Sequence, residues 1–176
     1  TTGSGKSVCI TGLIMSLLDL SKLESGTAPM QRGEVAIAEV LKEAVSTNAP
    51  TAGKKGVGIE ATAGGELPPV LGDVDRLRQV FINLAENAVK FTPAKGRIRI
   101  DVGVRQEAVV SISISDTGLG MSLAEIETAM SPFGQVDAGF NKRHEGTGLG
   151  LPIAYALARL HGGDLGPCRS KGGVGA

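Results

Sequence analysis

Three polar residues are spaced so that they share one face of a predicted helix. Asn83, Asn87 and Lys90 follow one another at intervals of four and three residues, which places them in one stripe along an α-helix. Amide oxygens are hard ligands that suit Mg²⁺, which needs few protein ligands when phosphates supply others, and the lysine can neutralise phosphate. The stripe therefore predicts a magnesium and phosphate site, with an ordinary solvated helix face as the alternative.

A first glycine-bearing loop, DTGLG, follows a predicted strand and contains Asp116, Gly118 and Gly120. A carboxylate at the end of a strand can accept a hydrogen bond from an exocyclic amine, and glycines let the backbone approach a flat ring. Adenine has both features. The loop therefore predicts an adenine site, and a structural turn between strand and helix is the alternative.

A second loop, GTGLGL at residues 146–151, opens the last predicted helix. The free N–H groups and positive dipole end of a helix N-terminus suit a triphosphate, although the same glycines also suit a purely structural helix start. The spacing of its glycines excludes the dinucleotide fingerprint, because the third glycine follows the second by two residues instead of three. The GSGKS run at residues 3–7 lacks the earlier glycine of a P-loop and is set aside.

Helical and alternating patterns predict the elements that would position these residues. Asp73 is the expected N-cap of the helix that carries the polar stripe. A turn-rich stretch at residues 48–56 is expected to end the second helix, and the last two predicted strands are expected to form a hairpin. The predicted helices span residues 7–23, 35–45, 74–91, 123–130 and 149–161, and the predicted strands span 57–63, 97–104 and 108–115.

Composition predicts one α/β domain with a short extra element. The chain has 176 residues, of which 41% are hydrophobic and 3% aromatic, and its 18 basic residues balance 18 acidic ones. Nucleic-acid binding is therefore disfavoured. The two cysteines form neither a disulfide framework nor a zinc motif, and no signal peptide or membrane span is predicted, which favours the cytoplasm. Because the chain starts at Thr1, we expect a fragment whose parent could be membrane-anchored.

The order of the motifs resembles the catalytic ATP-binding domain of sensor histidine kinases, in the superfamily that includes gyrase, Hsp90 and MutL. Asn83–Thr92 is similar to the N box, Asp116–Gly120 to the G1 box, Phe133 to the F box, and Gly146–Leu151 to the G2 box. The resemblance covers nearly the whole chain, since residues 18–26 are similar to the end of a dimerisation helix and residues 160–165 match the stretch after the last helix.

The resemblance implies a two-layer α/β sandwich of the Bergerat type. A mixed sheet of about five strands is backed by three helices and preceded by one partial dimerisation helix. Residues 1–26 are expected to form the end of that helix and residues 27–176 the catalytic domain. Pro167 falls where the following strand is expected. Because the chain stops at Ala176, the domain is also predicted to lack its last strand.

The resemblance also implies a role for each site residue. Asn87 is the expected magnesium ligand, Asp116 is expected to recognise adenine, and the stretch from Phe133 to Thr147 is the expected lid over ATP. The expected catalytic residues are Asn83, Lys90 and Arg143. The expected nucleotide-binding residues are Asn83, Asn87, Lys90, Phe91, Asp116, Gly118, Gly120, Phe133, Lys142, Arg143, Gly146, Thr147, Gly148, Leu149 and Gly150.

The implied function is that of a protein histidine kinase, a transferase of two-component phosphorelay signalling that uses ATP and Mg²⁺. The phospho-acceptor His is expected on an absent upstream helix, because neither His144 nor His161 resembles it. The implied partners are the dimerisation helices of a homodimer and a response-regulator receiver domain. Two alternatives remain: a nucleotide-responsive interaction module of a pseudokinase, and a hydrolytic ATPase. Asn83 disfavours the ATPase because that branch normally has a water-activating Glu there.

Overall fold

The computed structural model describes residues 16–23, 25–105, 109–135, 147–170 and 173–175, which form five helices and seven strands. None of the described helices is long and apolar enough to cross a membrane. In chain order the elements are α1 (residues 16–23), β1 (Gly33–Val35), α2 (Ile37–Lys55), β2 (Gly58–Ala63), β3 (Val70–Gly72), α3 (Val74–Phe91), β4 (Arg97–Val104), β5 (Val110–Asp116), α4 (Leu123–Met130), α5 (Gly150–Leu160), β6 (Cys168–Ser170) and β7 (Gly173–Gly175).

The central sheet is mixed, as the resemblance implies. Strand β4 lies in the middle, parallel to β2 and antiparallel to β5. The pairing of Ile98 with Asp116 brings the end of β5 to the start of β4, and the predicted hairpin of these two strands is confirmed. Two antiparallel pairs, β1–β3 and β6–β7, complete the described strands, and β6 lies beside β5.

Helices α2, α3 and α5 form the second layer of the α/β fold. Helix α3 contacts α2, α5 and β5, so it lies at the centre of the molecule. Alternate residues of β4 point into the core, where Ile98 and Ile100 are fully buried. Leu20 and Leu23 of α1 are also buried in the main core, so the end of this helix packs against the layered domain.

The predicted end of the second helix at residues 48–56 is wrong, because α2 continues to Lys55 with Pro50 inside it. Ala44, Asn48 and Ala52 are buried at intervals of four residues, so one face of the helix packs along the core. Burial of that face outweighs the backbone hydrogen bond that a proline removes from a helix interior. The helix ends at Gly56, whose φ of 71° is the left-handed conformation that glycine tolerates.

Strand β6 begins directly after Pro167 and pairs with β7. A proline immediately before a strand costs no ladder hydrogen bond, so Pro167 is compatible with this pairing. The division of the chain at residue 26 stays a prediction, as does the absence of a last strand. The first predicted helix, at residues 7–23, lies partly outside the described residues.

Candidate functional site

The polar stripe of α3 faces the start of α5. The Nδ2 group of Asn83 donates to the carbonyl oxygen of Gly150 at 3.3 Å. A methyl group on Gly150 would lie 3.6 Å from Nδ2 of Asn87, an ordinary van der Waals distance, so the second amide lies directly beside this glycine. The fold thus brings both asparagines to the helix N-terminus that the sequence predicts as a phosphate site.

The loop after β5 packs on the C-terminal end of α3, next to the polar stripe. Oδ1 of Asp116 accepts a hydrogen bond from the N–H of Gly118 at 2.6 Å. A methyl group on Gly118 would collide with that oxygen and lie 2.8 Å from the carbonyl oxygen of Phe91. Thr117 exchanges two hydrogen bonds with Arg97 at the start of β4. The loop is therefore attached to the sheet and approaches the last turn of α3 as only glycine allows.

Lys90 and Phe91 together form the exposed rim of this region. The Nζ atom of Lys90 lies 5.0 Å from the centre of the Phe91 ring, within range of a cation–π interaction. The Phe91 side chain is 41% exposed. A positive charge and a flat apolar surface therefore lie next to the loop that carries Asp116, where a nucleotide could use both.

Phe133 meets the second glycine loop. Its N–H donates to the carbonyl oxygen of Gly148 at 3.1 Å, and a methyl group on Gly148 would lie 2.9 Å from the Phe133 carbonyl carbon. Both residues have positive φ values, 62° for Phe133 and 68° for Gly148. Leu149 is buried, and its N–H donates to Oγ1 of Thr147 at 3.4 Å. Phe133, which lies shortly after the end of α4, is thus held against the residues that begin α5.

Three predicted site residues, Lys142, Arg143 and Gly146, lie outside the described residues, as does most of the predicted lid. Gly120 is described and has a φ of 67° in the loop after Asp116. Among the described residues, no group of three or more His, Cys, Asp or Glu side chains could hold a metal ion. Mg²⁺ that is bound together with phosphates needs only one or two protein ligands, so such a site does not require a cluster of this kind.

Lys55 is a residue near the site that the sequence did not single out. Its Nζ group donates to the carbonyl oxygens of Val89 at 2.9 Å and Lys90 at 2.6 Å. Burial lowers the pKa of Lys55. A basic residue in the last turn of a helix was the available signal, but that signal was lost once residues 48–56 were predicted to be a turn.

Asp73 begins α3 and receives hydrogen bonds from several segments. Oδ1 accepts from the N–H groups of Asp75 and Arg76 at 3.1 Å each, which confirms the predicted N-cap, and Oδ2 accepts from Gln31 N at 2.8 Å. The N–H of Asp73 donates to Nε2 of His161 at 3.0 Å. Burial by itself would raise the pKa of Asp73, but the three N–H donors and the Arg76 charge together lower it below its ordinary value.

Comparison with known sequences identifies relatives of this chain. The family described as histidine kinase-, DNA gyrase B- and HSP90-like ATPase matches residues 72–175. The cell-division control histidine kinase PdhS of Brucella anthropi is 35% identical across 86% of this chain, and its counterpart in Brucella melitensis is equally similar. The chain spans only 15% and 16% of these two relatives, respectively.

Comparison with solved structures gives the same family. Full-length ShkA in complex with AMPPNP has a TM-score of 0.81 and 30% identity, covering 94% of this chain and 34% of that chain. The nucleotide-free catalytic domain of the histidine kinase ThkA has a TM-score of 0.69 and 26% identity, covering 82% of this chain and 91% of that domain. ThkA in complex with the response regulator TrrA shares the fold, with a TM-score of 0.70 and 20% identity, over 95% of this chain and 47% of that chain.

Proposed function

Because the chain belongs to the histidine kinase-, DNA gyrase B- and HSP90-like ATPase family, we propose that it is the catalytic ATP-binding part of a two-component sensor histidine kinase. The reaction transfers the γ-phosphoryl group of ATP to an imidazole nitrogen of the parent kinase and releases ADP. The observation that carries this proposal is the convergence of three distant segments: Asn83 and Asn87 meet Gly150, while Phe91 meets Gly118.

Asn87 is the proposed ligand of Mg²⁺. Its amide lies beside Gly150 at the start of α5, and a neutral oxygen fits a cation that also binds phosphates. When bound, Mg²⁺ neutralises negative charge on the transferring phosphates. Asn83 holds the carbonyl of Gly150 and so orients the first turn of α5.

Asp116 is the proposed group that recognises adenine. The hydrogen bond from Gly118 holds one carboxylate oxygen in place, and so orients the carboxylate as an acceptor for an exocyclic amine. The exposed face of Phe91 offers apolar contact to the base. Lys90 supplies positive charge beside it, and Lys142 and Arg143 are proposed to reach the γ-phosphate.

The side chain at position 83 favours transfer over hydrolysis. Asn83 carries an amide, which cannot act as the general base that a carboxylate provides. Its Nδ2 group is also engaged with Gly150. Phosphoryl transfer needs positioning and charge neutralisation more than covalent help from the protein, so a site without a base can perform it.

The acceptor His is proposed to lie elsewhere in the parent protein. Both ring nitrogens of His161 already have hydrogen-bond partners. Nε2 accepts from the N–H of Asp73, and Nδ1 lies 2.7 Å from the Leu157 carbonyl oxygen. The proposed partners are the dimerisation helices of the parent homodimer and a response-regulator receiver domain. The ThkA–TrrA complex supports a receiver-domain partner by analogy of fold.

Calorimetric titration of ATP and AMPPNP into the 176-residue chain, with and without Mg²⁺, tests this proposal. We expect Mg²⁺ to strengthen binding of both nucleotides, and Asn87→Ala to remove that strengthening. Asp116→Ala should reduce the preference for ATP over GTP. Asp164→Ala is the matched control, because Asp164 is exposed and forms only a 3.6 Å ion pair with Arg159 among the interactions described for it.

The outcomes separate the proposal from its alternatives. Absence of nucleotide binding in the folded wild type would refute an ATP-dependent activity. Equal binding by Asn87→Ala and the wild type at every Mg²⁺ concentration would refute the assignment of Asn87. Steady ATP hydrolysis that Asn83→Ala abolishes would favour a hydrolytic ATPase instead.

A further inference from the structure

Lys55 is the last residue of α2, yet its side chain ends on the helix that carries the proposed magnesium and phosphate ligands. Its Nζ group donates to the carbonyl oxygens of Val89 and Lys90 at 2.9 and 2.6 Å. A helix cannot satisfy the carbonyls of its last turn with its own N–H groups. The ammonium group therefore supplies missing donors and also complements the negative end of the helix dipole.

Backbone hydrogen bonds join the end of α2 to the start of β4 at the same place. The N–H of Lys95 donates to the carbonyl oxygen of Gly56 at 2.9 Å, and the N–H of Gly58 donates to that of Gly96 at 3.0 Å. Gly96 packs closely against residues 116–120, the proposed adenine loop, since a methyl group on Gly96 would lie 2.8 Å from Oγ1 of Thr117. The residues directly after Lys55 are thus anchored to the elements that hold this loop.

Contacts hold three successive carbonyls of α3 from two directions. Lys55 engages the carbonyls of Val89 and Lys90, while the Phe91 carbonyl packs against Gly118 of the adenine loop. The side chains of Lys90 and Phe91 leave this same turn and lie 5.0 Å apart at the exposed rim. Their orientation therefore depends on how firmly the turn is held.

We propose that Lys55 is a positioning residue for nucleotide binding, which holds the last turn of α3 so that Lys90 and Phe91 stay beside the adenine loop. This inference rests on the proposed function, because it assigns Lys55 a role at that same site. Lys55 acts through Lys90 and Phe91. Without its two hydrogen bonds the turn samples more conformations, and nucleotide binding must then order it again.

Two substitutions at this position, with a matched neighbour, test the inference. Lys55→Met removes the donors while keeping a long side chain, and Lys55→Arg keeps a cationic donor. Lys54→Met makes the same charge change at an exposed residue in the same turn of α2. In titrations with Mg-ATP, we expect Lys55→Met to raise Kd by roughly 3- to 10-fold, which corresponds to about 0.7–1.4 kcal/mol. Lys55→Arg should recover most of the affinity, and Lys54→Met should bind like the wild type.

Urea unfolding of the same variants separates positioning from a purely structural role. If Lys55→Met lowers the unfolding midpoint but the folded protein keeps the wild-type Kd, the inference is overturned. If Lys55→Met does not fold, Lys55→Ala, which also removes the donors and leaves no long apolar side chain, is compared with Lys54→Ala, and an unchanged Kd again overturns the inference. Failure of the wild type itself to bind Mg-ATP would refute the proposed function, and the inference with it.

Discussion

The two ends of α3 are held in different ways, although they belong to one 18-residue helix. At the start, the Asp73 carboxylate accepts hydrogen bonds from N–H groups of its own helix and from the N–H of Gln31. At the end, the donor comes from the Lys55 side chain, and Gly118 in the loop after β5 packs on the Phe91 carbonyl. At 1.5 Å per residue the two ends are about 27 Å apart. The comparison indicates that one end mainly stabilises the fold and the other mainly shapes the site.

Asp73→Ala should have the largest effect on stability. Loss of an N-cap costs about 1 kcal/mol, and the Gln31 N–H left without its acceptor adds about 1 kcal/mol, so we expect the free energy of unfolding to fall by about 2 kcal/mol. Urea denaturation measures this loss against Asp164→Ala as the control. The folded variant should bind Mg-ATP within about twofold of the wild type, or about 0.4 kcal/mol, because Asp73 lies at the opposite end of α3 from Phe91. A much weaker Kd would mean that the two ends are coupled.

Gly118→Ala should weaken nucleotide binding more than it lowers stability, in contrast to Asp73→Ala. The added methyl would collide with Oδ1 of Asp116 and lie 2.8 Å from the Phe91 carbonyl oxygen, so the carboxylate must move away from its present position. Because only the loop and the carboxylate need to move, we expect overpacking to cost about 1 kcal/mol of stability, and the Kd for Mg-ATP to rise by about tenfold. Titration calorimetry measures the change.

Gly53→Ala is the matched control for that substitution. A methyl group on Gly53 meets nothing within 4 Å, and the residue lies inside α2. It should leave nucleotide affinity unchanged and stabilise the chain by about 0.5–1 kcal/mol. Equal affinities for the two variants would show that the approach of Gly118 to α3 does not matter for binding.

The smallest expected effect is the dependence of stability on pH, which comes from Asp73 at the start of α3. Because the pKa of Asp73 in the folded chain is below its ordinary value of 3.8, ionised Asp73 stabilises the fold fully above that value. This stabilisation is lost as the pH falls from about 4 through the lowered pKa. Asp73→Asn keeps a capping oxygen without the charge. At pH 7 the free energy of unfolding of the wild type should therefore exceed that of the variant by about 1 kcal/mol. A difference that stays constant on acidification would contradict this assignment.

Local sequence patterns were sufficient to predict the bounds of α3, β4 and α4. The bounds of α3, β4 and α4 agree with the sequence prediction, because their apolar spacing and caps lie within each segment. Helix α2 was predicted too short because Pro50 and its polar neighbours resemble a turn. Only the core shows that Ala44, Asn48 and Ala52 form one buried face.

The candidate site divides in the same way. The sequence predicted Asn83, Asn87 and Asp116, because spacing along a helix and position after a strand are local properties. The involvement of Lys55 could not be predicted, because its target lies 34 and 35 residues away at Val89 and Lys90. The contact between Phe133 and Gly148 likewise depends on how α4 meets α5.

The sequence by itself determined the order of the elements, the cap of α3 and the polar stripe, since each follows from periodicity and local hydrogen bonding. The tertiary structure decided which groups hold that stripe in place. It brought Gly150 to Asn83 and Lys55 to the end of α3. It also placed the backbone N–H of Asp73 where it donates a hydrogen bond to His161. These contacts arise from the packing of α2, α3 and α5 around one core, which no local pattern specifies.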